Sequence, residues 1–173
     1  VPPTHQHTRI KVISVGDPSV GKSCLIKRYC EEKFITKHVP TIGIDFGVKP
    51  VTVGSQAVRV NFFDMAGGEQ YREIRAEFYR DAQGVLLVFD VTRRPSFEAL
   101  DSWIVEAEAN GLQQPATVLC ANKCDGAKRA VTEAEGKKWA GSHSMRYFET
   151  SAKEGDNVKL MFETLFQQAV ESR

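Results

Sequence analysis

The loop at residues 16–23, with the sequence GDPSVGKS, constrains the fold of this chain more than any other segment. Residues 10–15 before it alternate apolar and polar side chains and predict a strand, and residues 22–32 predict a helix. A strand that runs through a glycine-rich turn into a helix directs backbone N–H groups and the positive end of the helix dipole at one point. That point suits the oxygens of a triphosphate, with Lys22 as their counter-charge and Ser23 as a Mg²⁺ ligand.

Strand-like and helix-like segments alternate along the rest of the chain. Residues 44–53 and 57–63 are strand-like and meet at Gly54-Ser55, which favours a β-hairpin. The apolar runs 85–89 and 117–121 are typical of parallel strands that are buried on both faces. This alternation predicts a three-layer α/β fold whose ligands bind at the carboxyl ends of the strands.

Three later segments carry helix signals. Thr132 and Glu135 fit a capping box, in which each side chain accepts a hydrogen bond from the other residue's backbone N–H. Trp103 and Trp139 are predicted to pack between helices and the sheet. Two apolar stripes predict helix faces that pack on the sheet: Phe97, Leu100, Ile104 and Ala107, and then Val158, Met161, Phe162, Leu165 and Ala169.

The composition fits one globular domain, with 173 residues of which 42% are hydrophobic and 26% are charged. Residues 1–8 are expected to be a disordered tail and residues 9–173 the domain. A net charge of +1 argues against general nucleic-acid binding, and no apolar run is long enough to span a bilayer. Reduced thiols and a cytoplasmic location are expected, with a nuclear location and indirect membrane association left open. The cysteines, which lack zinc-site spacing, are Cys24, Cys30, Cys120 and Cys124.

Two further segments are suited to recognition of a purine base. Residues 122–125 (NKCD) and residues 149–153 (ETSAK) each follow a predicted strand. Guanine donates from N1 and from its 2-amino group, and the Asp125 carboxylate can accept both hydrogen bonds. Asn122 and the backbone N–H of Ala152 can address the ring edge and O6. A site of buried polar groups rejects a base that leaves them unpaired, so guanine is predicted, and an ATPase or kinase is disfavoured. The aliphatic parts of the Lys123 and Lys153 side chains would flank the base and the ribose.

These motifs, in this order, resemble those of Ras-superfamily small GTPases over residues 9–171. Residues 42–46 (IGIDF) and 71–80 resemble the Rab branch, and residues 64–67 (DMAG) and 148–152 (FETSA) look most like Rab-like GTPases with a C-terminal J domain. The resemblance implies a P-loop NTPase fold with a mostly parallel six-stranded sheet, one antiparallel edge strand and helices on both faces. It also implies a monomeric switch that cycles between GTP and GDP with Mg²⁺, in signalling or vesicle trafficking. Whether a J domain follows this chain stays open.

The resemblance assigns further roles by position. Thr41 would complete the Mg²⁺ shell and meet the γ-phosphate, Asp64 would hold Mg²⁺ through water, and the Gly67 N–H would sense the γ-phosphate. Phe34 would pack edge-on against guanine, with core packing as the alternative. The implied metal ligands are Ser23, Thr41 and Asp64. The implied nucleotide-binding residues are Gly16, Asp17, Pro18, Ser19, Val20, Gly21, Lys22, Ser23, Cys24, Phe34, Thr41, Gly67, Asn122, Lys123, Asp125, Ser151, Ala152 and Lys153.

Gly68 departs from the family pattern. Glutamine stands at this position in the family and orients the attacking water. Glycine has no side chain for that task, so intrinsic hydrolysis is predicted at least roughly 10-fold below the ~10⁻⁴ s⁻¹ of intact relatives. Glu69 or Gln70 could substitute, or a partner could insert glutamine and arginine. A permanently GTP-loaded interaction module is the alternative function. The predicted catalytic residues are Lys22, Thr41, Gly67 and Gly68.

The resemblance also implies protein partners. Effectors, exchange factors and activating proteins are expected at two switch regions, residues 34–46 and 64–80. An aromatic triad that Rab proteins present to effectors is matched by Phe46, Phe63 and either Phe78 or Tyr79. Packing in the core is the alternative for these aromatic residues. Rab proteins usually end in prenylated cysteines, and because the last cysteine here is Cys124, no lipid anchor is expected in this chain.

Overall fold

The computed structural model describes residues 8–31, 43–123, 128–151, 155 and 157–172, over which strands and helices alternate. A 3₁₀ turn at Glu69–Tyr71 precedes the second helix. The strands are β1 (Thr8–Val15), β2 (Ile44–Val53), β3 (Gln56–Met65), β4 (Gly84–Asp90), β5 (Ala116–Asn122) and β6 (Arg146–Glu149). The helices are α1 (Lys22–Glu31), α2 (Arg72–Arg75), α3 (Arg94–Glu98), α4 (Leu100–Ala109), α5 (Glu133–Ser142) and α6 (Val158–Glu171).

The strands of the described part form a single six-stranded sheet in the order β2-β3-β1-β4-β5-β6. Neighbouring strands from β3 to β6 are parallel, and β2 runs antiparallel to β3 at the edge. Val53 pairs with Gln56 across the turn, where Gly54 has a φ of +61°, so the predicted hairpin is confirmed. The predicted six-stranded sheet with one antiparallel edge strand is confirmed as well.

Both faces of the sheet are covered by helices. Alternate residues of β1 pack on opposite faces, with Ile10 and Val12 in a cluster that contains α6 residues and Ile13 and Val15 in a cluster that contains α4 residues. All seven residues of β4 are buried, as a parallel strand between two helical layers requires. The predicted three-layer architecture is therefore confirmed, and it directs the carboxyl ends of β1, β4 and β5 to one edge.

The helix signals in the sequence are borne out. The backbone N–H of Glu135 donates to Thr132 Oγ1 at 3.1 Å, and the Thr132 N–H donates to Glu135 Oε1 at 3.3 Å. The predicted stripe of α6 is buried throughout. The stripe that begins at Phe97 is divided between α3 and α4 at Ala99, but all four of its residues pack in the same cluster. Trp103 packs in that cluster with 7% of its surface exposed.

The boundaries of the domain differ from the prediction at one end. Thr8, which was predicted to close the tail, is the first residue of β1 and pairs with Val58 of β3. The rest of the predicted tail lies outside the described residues. Cys24, Cys30 and Cys120 are not disulfide-bonded, and Cys124 lies outside the described residues. None of the described helices is long and apolar enough to cross a membrane.

Candidate functional site

The glycine-rich loop lies between β1 and α1, at the edge where the parallel strands end. Gly16 and Gly21 have φ values of +153° and +102°, and both lack room for a side chain. A Cβ on Gly16 would collide with the carbonyl oxygen of Val88, and one on Gly21 would collide with the side-chain amide of Asn122. The loop therefore needs glycine at these positions because it packs directly on β4 and on the residue that ends β5.

Lys22 lies inside the loop and is 6% exposed. Its Nζ donates hydrogen bonds to the carbonyl oxygens of Gly16 and Asp17, both at 2.8 Å. Burial lowers the pKa of Lys22 to about 8, while the charges of Asp64 and Asp17 oppose that shift. Because a buried cation is poorly solvated, an anion in this loop would gain a strong electrostatic attraction. This is the environment that the sequence predicted for phosphate groups.

Hydroxyl and carboxylate oxygens meet beside Lys22, where α1 begins. Ser23 Oγ donates to one oxygen of Asp64, and Ser14 Oγ donates to the other at 2.8 Å. Mg²⁺ prefers hard oxygen ligands, and it commonly takes one or two from the protein and the rest from phosphates and water. Among the described residues, no group of three or more His, Cys, Asp or Glu side chains could hold a metal by itself. The pair formed by Ser23 and Asp64 therefore fits Mg²⁺ bound together with a phosphate; Thr41 lies outside the described residues.

Gly67 packs against the phosphate loop from the opposite side. A Cβ on Gly67 would lie 2.6 Å from the nitrogen of Pro18 and 2.7 Å from the carbonyl carbon of Asp17. Only glycine fits there, and its backbone is brought as close to the loop as van der Waals contact allows. One pocket is shared by the loop and this segment, and its lining includes Lys22, Ser23, Gly67 and Gly68. The structure thus brings together the phosphate-loop and switch residues that the sequence predicted.

The base-recognition segment is tied to the same loop. Asn122 is 1% exposed, and its Nδ2 donates to the carbonyl oxygen of Val20 at 2.8 Å. Thr150 Oγ1 donates to Asn122 Oδ1 at 3.0 Å, so the side-chain amide is fixed from both ends. Lys123 Nζ donates to the carbonyl oxygen of Ser19 at 2.7 Å. The predicted site residues outside the described residues are Phe34, Thr41, Asp125, Ala152 and Lys153.

Sequence reasoning missed two polar residues that support this segment. Asp90, at the end of β4, is 1% exposed and pairs with Lys123 Nζ at 3.1 Å. Thr150 is completely buried and also contacts the Cys120 Sγ at 2.8 Å. Both positions carried a signal, because a polar residue at the carboxyl end of a parallel strand lies at the ligand-binding edge of the sheet. Ser151, which follows Thr150 and was predicted to bind nucleotide, is buried as well.

A buried arginine holds the backbone on both sides of Gly67. Arg75 is 2% exposed, and its Nη1 donates to the carbonyl oxygens of Ala66 at 2.9 Å and Gly68 at 2.6 Å. Its Nε and Nη2 donate to the two carboxylate oxygens of Glu106 at 3.0 and 2.7 Å. Its guanidinium lies 4.6 Å from the centre of the Trp103 ring. We call this arrangement, formed by Arg75 and Glu106, the arginine clamp.

The clamp also contacts Tyr79, beyond the end of α2, and its neighbour Trp103 contacts the phosphate loop. Trp103 Nε1 donates to Asp17 Oδ1 at 2.8 Å, and the Tyr79 hydroxyl donates to Glu106. Tyr79 is fully buried. These contacts join residues that are up to 86 positions apart in the chain. The sequence carried no signal for them, because charged residues are rarely fully buried unless a partner is present, and the partner is remote.

An aromatic surface adjoins the switch segment. The ring of Phe63 lies 5.1 Å from the ring of Phe46 and 5.1 Å from that of Phe78, measured between centroids. Phe46 is 60% exposed, so core packing is wrong for it, whereas full burial makes core packing correct for Tyr79. Phe63 and Phe78 are partly buried and pack against the core cluster. Of the two candidates for the third aromatic residue, only Phe78 therefore keeps part of its surface exposed, and the role of the triad stays a prediction.

Comparison with known proteins agrees with this geometry. The model of the Ras family matches residues 11–171. DnaJ homolog subfamily C member 27 of Homo sapiens is 48% identical over 169 residues, which cover 94% of this chain and 62% of the relative. Its counterpart in Danio rerio is 51% identical over 165 residues, or 91% of this chain and 60% of the relative. The chain thus spans about three fifths of the length of these relatives. The predicted likeness to GTPases linked to J-domain proteins is confirmed, and the chain belongs to the Ras family of small GTPases.

Proposed function

We propose that this domain is a Rab-like switch that binds GTP with Mg²⁺ and hydrolyses it slowly without an activating partner. The observation that carries the proposal is the phosphate pocket, whose lining includes the buried cation of Lys22 but offers no side chain at Gly68. Lys22, Ser23 and Gly67 line the same pocket. Such a pocket can hold a triphosphate firmly while leaving the attacking water poorly positioned.

Each residue has a separate task in this proposal. Lys22 neutralises the β- and γ-phosphates, and its loop contributes backbone N–H groups. Ser23, Asp64 and Thr41 would hold Mg²⁺, which would neutralise charge on the β- and γ-phosphate oxygens. Guanine recognition is assigned to the base segments, in which Asn122 is already fixed by Thr150 and Val20. The further residues assigned to the base and ribose are Phe34, Lys123, Asp125, Ser151, Ala152 and Lys153.

The partners of the proposed switch are proteins that read the state of the nucleotide. The exposed ring of Phe46 and the partly buried rings of Phe63 and Phe78 offer an apolar contact next to the switch segment. Ile74 is 46% exposed and lies on α2, in the same segment. Effectors, exchange factors and activating proteins are proposed to dock here, because apolar and aromatic side chains supply most of the energy of such interfaces. Because the relatives are named DnaJ homologs and are longer, we propose that the domain belongs to a longer J-domain protein in a reducing cytoplasmic environment.

The nucleotide carried by freshly purified protein tests guanine specificity. Denaturation followed by chromatography should release GTP or GDP, and an adenine nucleotide or an empty site would contradict the proposal. Retained GTP without product after long incubation would instead support the second candidate, a permanently GTP-loaded interaction module. That candidate is favoured by the same missing side chain at Gly68.

A substitution at residue 68 tests the cause of slow hydrolysis. Gly68→Gln should raise the single-turnover rate of GTP hydrolysis by about tenfold or more, because a carboxamide can orient water. Gly68→Ala is the matched control, since it adds a Cβ without a carboxamide and should not raise the rate. Equal rates for Gly68→Gln and the wild type would show that the missing side chain does not limit hydrolysis.

A further inference from the structure

The backbone conformation at residue 68 does not require glycine. Gly68 has φ −72° and ψ 149°, an ordinary extended conformation that any residue adopts. Its neighbour Gly67 differs, because a Cβ there would collide with the backbone of the phosphate loop. The space beside Gly68 is instead filled by a flexible side chain: a Cβ on Gly68 would lie 2.8 Å from Cδ and 3.1 Å from Nε2 of Gln70. The carboxamide of Gln70 thus occupies the place that a side chain at residue 68 would take.

The local fold brings Gln70 back over Gly68. The carbonyl oxygen of Gly68 accepts a hydrogen bond from the Tyr71 N–H at 3.1 Å, which closes the 3₁₀ turn at Glu69–Tyr71. The same oxygen accepts from Arg75 Nη1 at 2.6 Å. Gly68 is therefore held from two sides, and the turn carries the side chain of Gln70 to the Gly68 Cα.

Gln70 is also part of the wall of the phosphate pocket. The lining of this pocket includes Lys22, Ser23 and Gly67 as well as Gln70. Glu69 and Gln70 are both exposed, but Glu69 pairs with Arg72 at 3.4 Å and lines an adjoining crevice on the other side of Gly68 rather than this pocket. A carboxylate would in addition be repelled by phosphate, whereas a carboxamide is neutral and has both a donor and an acceptor.

We propose that Gln70 supplies the carboxamide for the slow hydrolysis that this GTPase retains, from the space that Gly68 leaves open. Gln70 is exposed and lies in a short turn two positions further along the chain, so it positions the attacking water less well than a glutamine at residue 68 would. Its Oε1 accepts a hydrogen bond from the attacking water while its Nε2 donates to an oxygen of the γ-phosphate. The water oxygen forms a bond to the γ-phosphorus, and the bond from that phosphorus to the β–γ bridging oxygen breaks. GDP leaves with the bonding electrons, and the water proton passes to the phosphate product. This inference rests on the proposed GTPase function.

The test compares single-turnover GTP hydrolysis in variants of the whole chain, with Mg²⁺ and saturating protein. Gln70→Met keeps the length and volume of the side chain but removes the carboxamide, and it should lower the rate by about tenfold or more. The affinity for GTP, measured in parallel, should stay within about twofold, because the carboxamide acts mainly in the transition state. Glu69→Gln is the matched control at the neighbouring position and should leave the rate within about twofold.

A second pair of variants uses the close contact between residue 68 and the carboxamide of Gln70. Gly68→Ala places a methyl group where the carboxamide lies, so it should lower the rate about as much as Gln70→Met does. The double variant Gly68→Ala/Gln70→Met should show no further loss, because both changes remove the same group. Multiplicative losses in the double variant would contradict the inference.

The outcomes separate this inference from the proposed function. Two results would overturn the role of Gln70 and leave the switch function intact. One is a hydrolysis rate of Gln70→Met within about fivefold of wild type, and the other is a GTP affinity that falls by the same factor as the rate. A wild-type protein that binds GTP but never hydrolyses it would also overturn the inference. Failure of the wild type to bind guanine nucleotide would overturn the proposed function itself.

Discussion

Removal of Arg75 should destabilise the domain severely, because its guanidinium is the only described cation in direct hydrogen-bond contact with the buried carboxylate of Glu106. Arg75 is 2% and Glu106 8% exposed, so neither charge is well solvated by water. Arg72 lies further away, with its Nε 3.9 Å from Glu106 Oε1, and its side chain is 63% exposed. Arg75→Met keeps an apolar stem of similar length but leaves the carboxylate with one hydroxyl donor, from Tyr79.

The expected loss follows from this geometry. Breaking a buried ion pair by removing one partner costs about 3–5 kcal/mol, because the remaining charge stays uncompensated. The carbonyl oxygen of Ala66 also loses its charged donor, so we expect the free energy of unfolding to fall by about 4 kcal/mol. With an unfolding entropy of about 2.1 cal/mol/K per residue, a chain of 173 residues should lose about 11 °C in Tm.

The assay is thermal and urea unfolding of each variant at one fixed concentration of GDP and Mg²⁺, since bound ligand adds to apparent stability. Arg75→Met/Glu106→Gln carries no buried charge and keeps an acceptor for the Tyr79 hydroxyl. It should therefore be more stable than Arg75→Met by about 2 kcal/mol or more. Simple addition of the two single effects would refute the argument, because it would show that the carboxylate does not need the guanidinium.

Two further predictions concern pH and a helix terminus. Burial acts to raise the pKa of Glu106, but hydrogen bonds from Arg75 and Tyr79 outweigh it and hold the pKa below 4.5. A carboxyl group whose pKa is lowered by folding stabilises the fold at pH values above its unfolded-state pKa. This stabilisation is lost as the pH falls through the folded-state pKa. Urea unfolding from about pH 7 to about pH 3 should therefore show a steeper loss in the wild type than in Glu106→Gln. Thr132→Ala removes the capping box of α5 and should lower stability by about 1 kcal/mol in the same assay, with Thr132→Ser as the control that retains it.

The fold was predictable because its signals are local and agree with one another. The apolar run at 85–89 indicated a strand buried on both faces, and β4 is buried at every position. The turn at Gly54-Ser55 indicated a hairpin, and the strands pair immediately beside it. The interruption at Ala99 was not predicted, because Phe97 and Leu100 continue the same apolar stripe and periodicity alone cannot reveal a local change of helix geometry.

The candidate site was predictable only where short motifs carry it. The phosphate loop could be recognised because its glycines and lysine are adjacent in sequence. The arginine clamp could not, since Arg75 and Glu106 are 31 residues apart and an isolated arginine in a polar segment indicates exposure. The position of Gln70 depends on a 3₁₀ turn of three residues, which is too short to leave a periodic pattern. Contacts of this kind arise from packing between elements and therefore appear only in the folded chain.

The arginine clamp also limits what the nucleotide can change. Ala66 and Gly68 flank Gly67, and Arg75 donates to the carbonyl oxygens of both. A hydrogen bond from a charged donor contributes about 1.5–3 kcal/mol, so two of them outweigh one contact between the Gly67 N–H and a γ-phosphate. Because Glu106 holds Arg75 in turn, we expect the backbone around Gly67 to keep its position without help from the phosphate. On this side of the pocket, we therefore expect the nucleotide-dependent change to begin beyond the clamp, in the turn that carries Gln70, rather than at Gly67 itself.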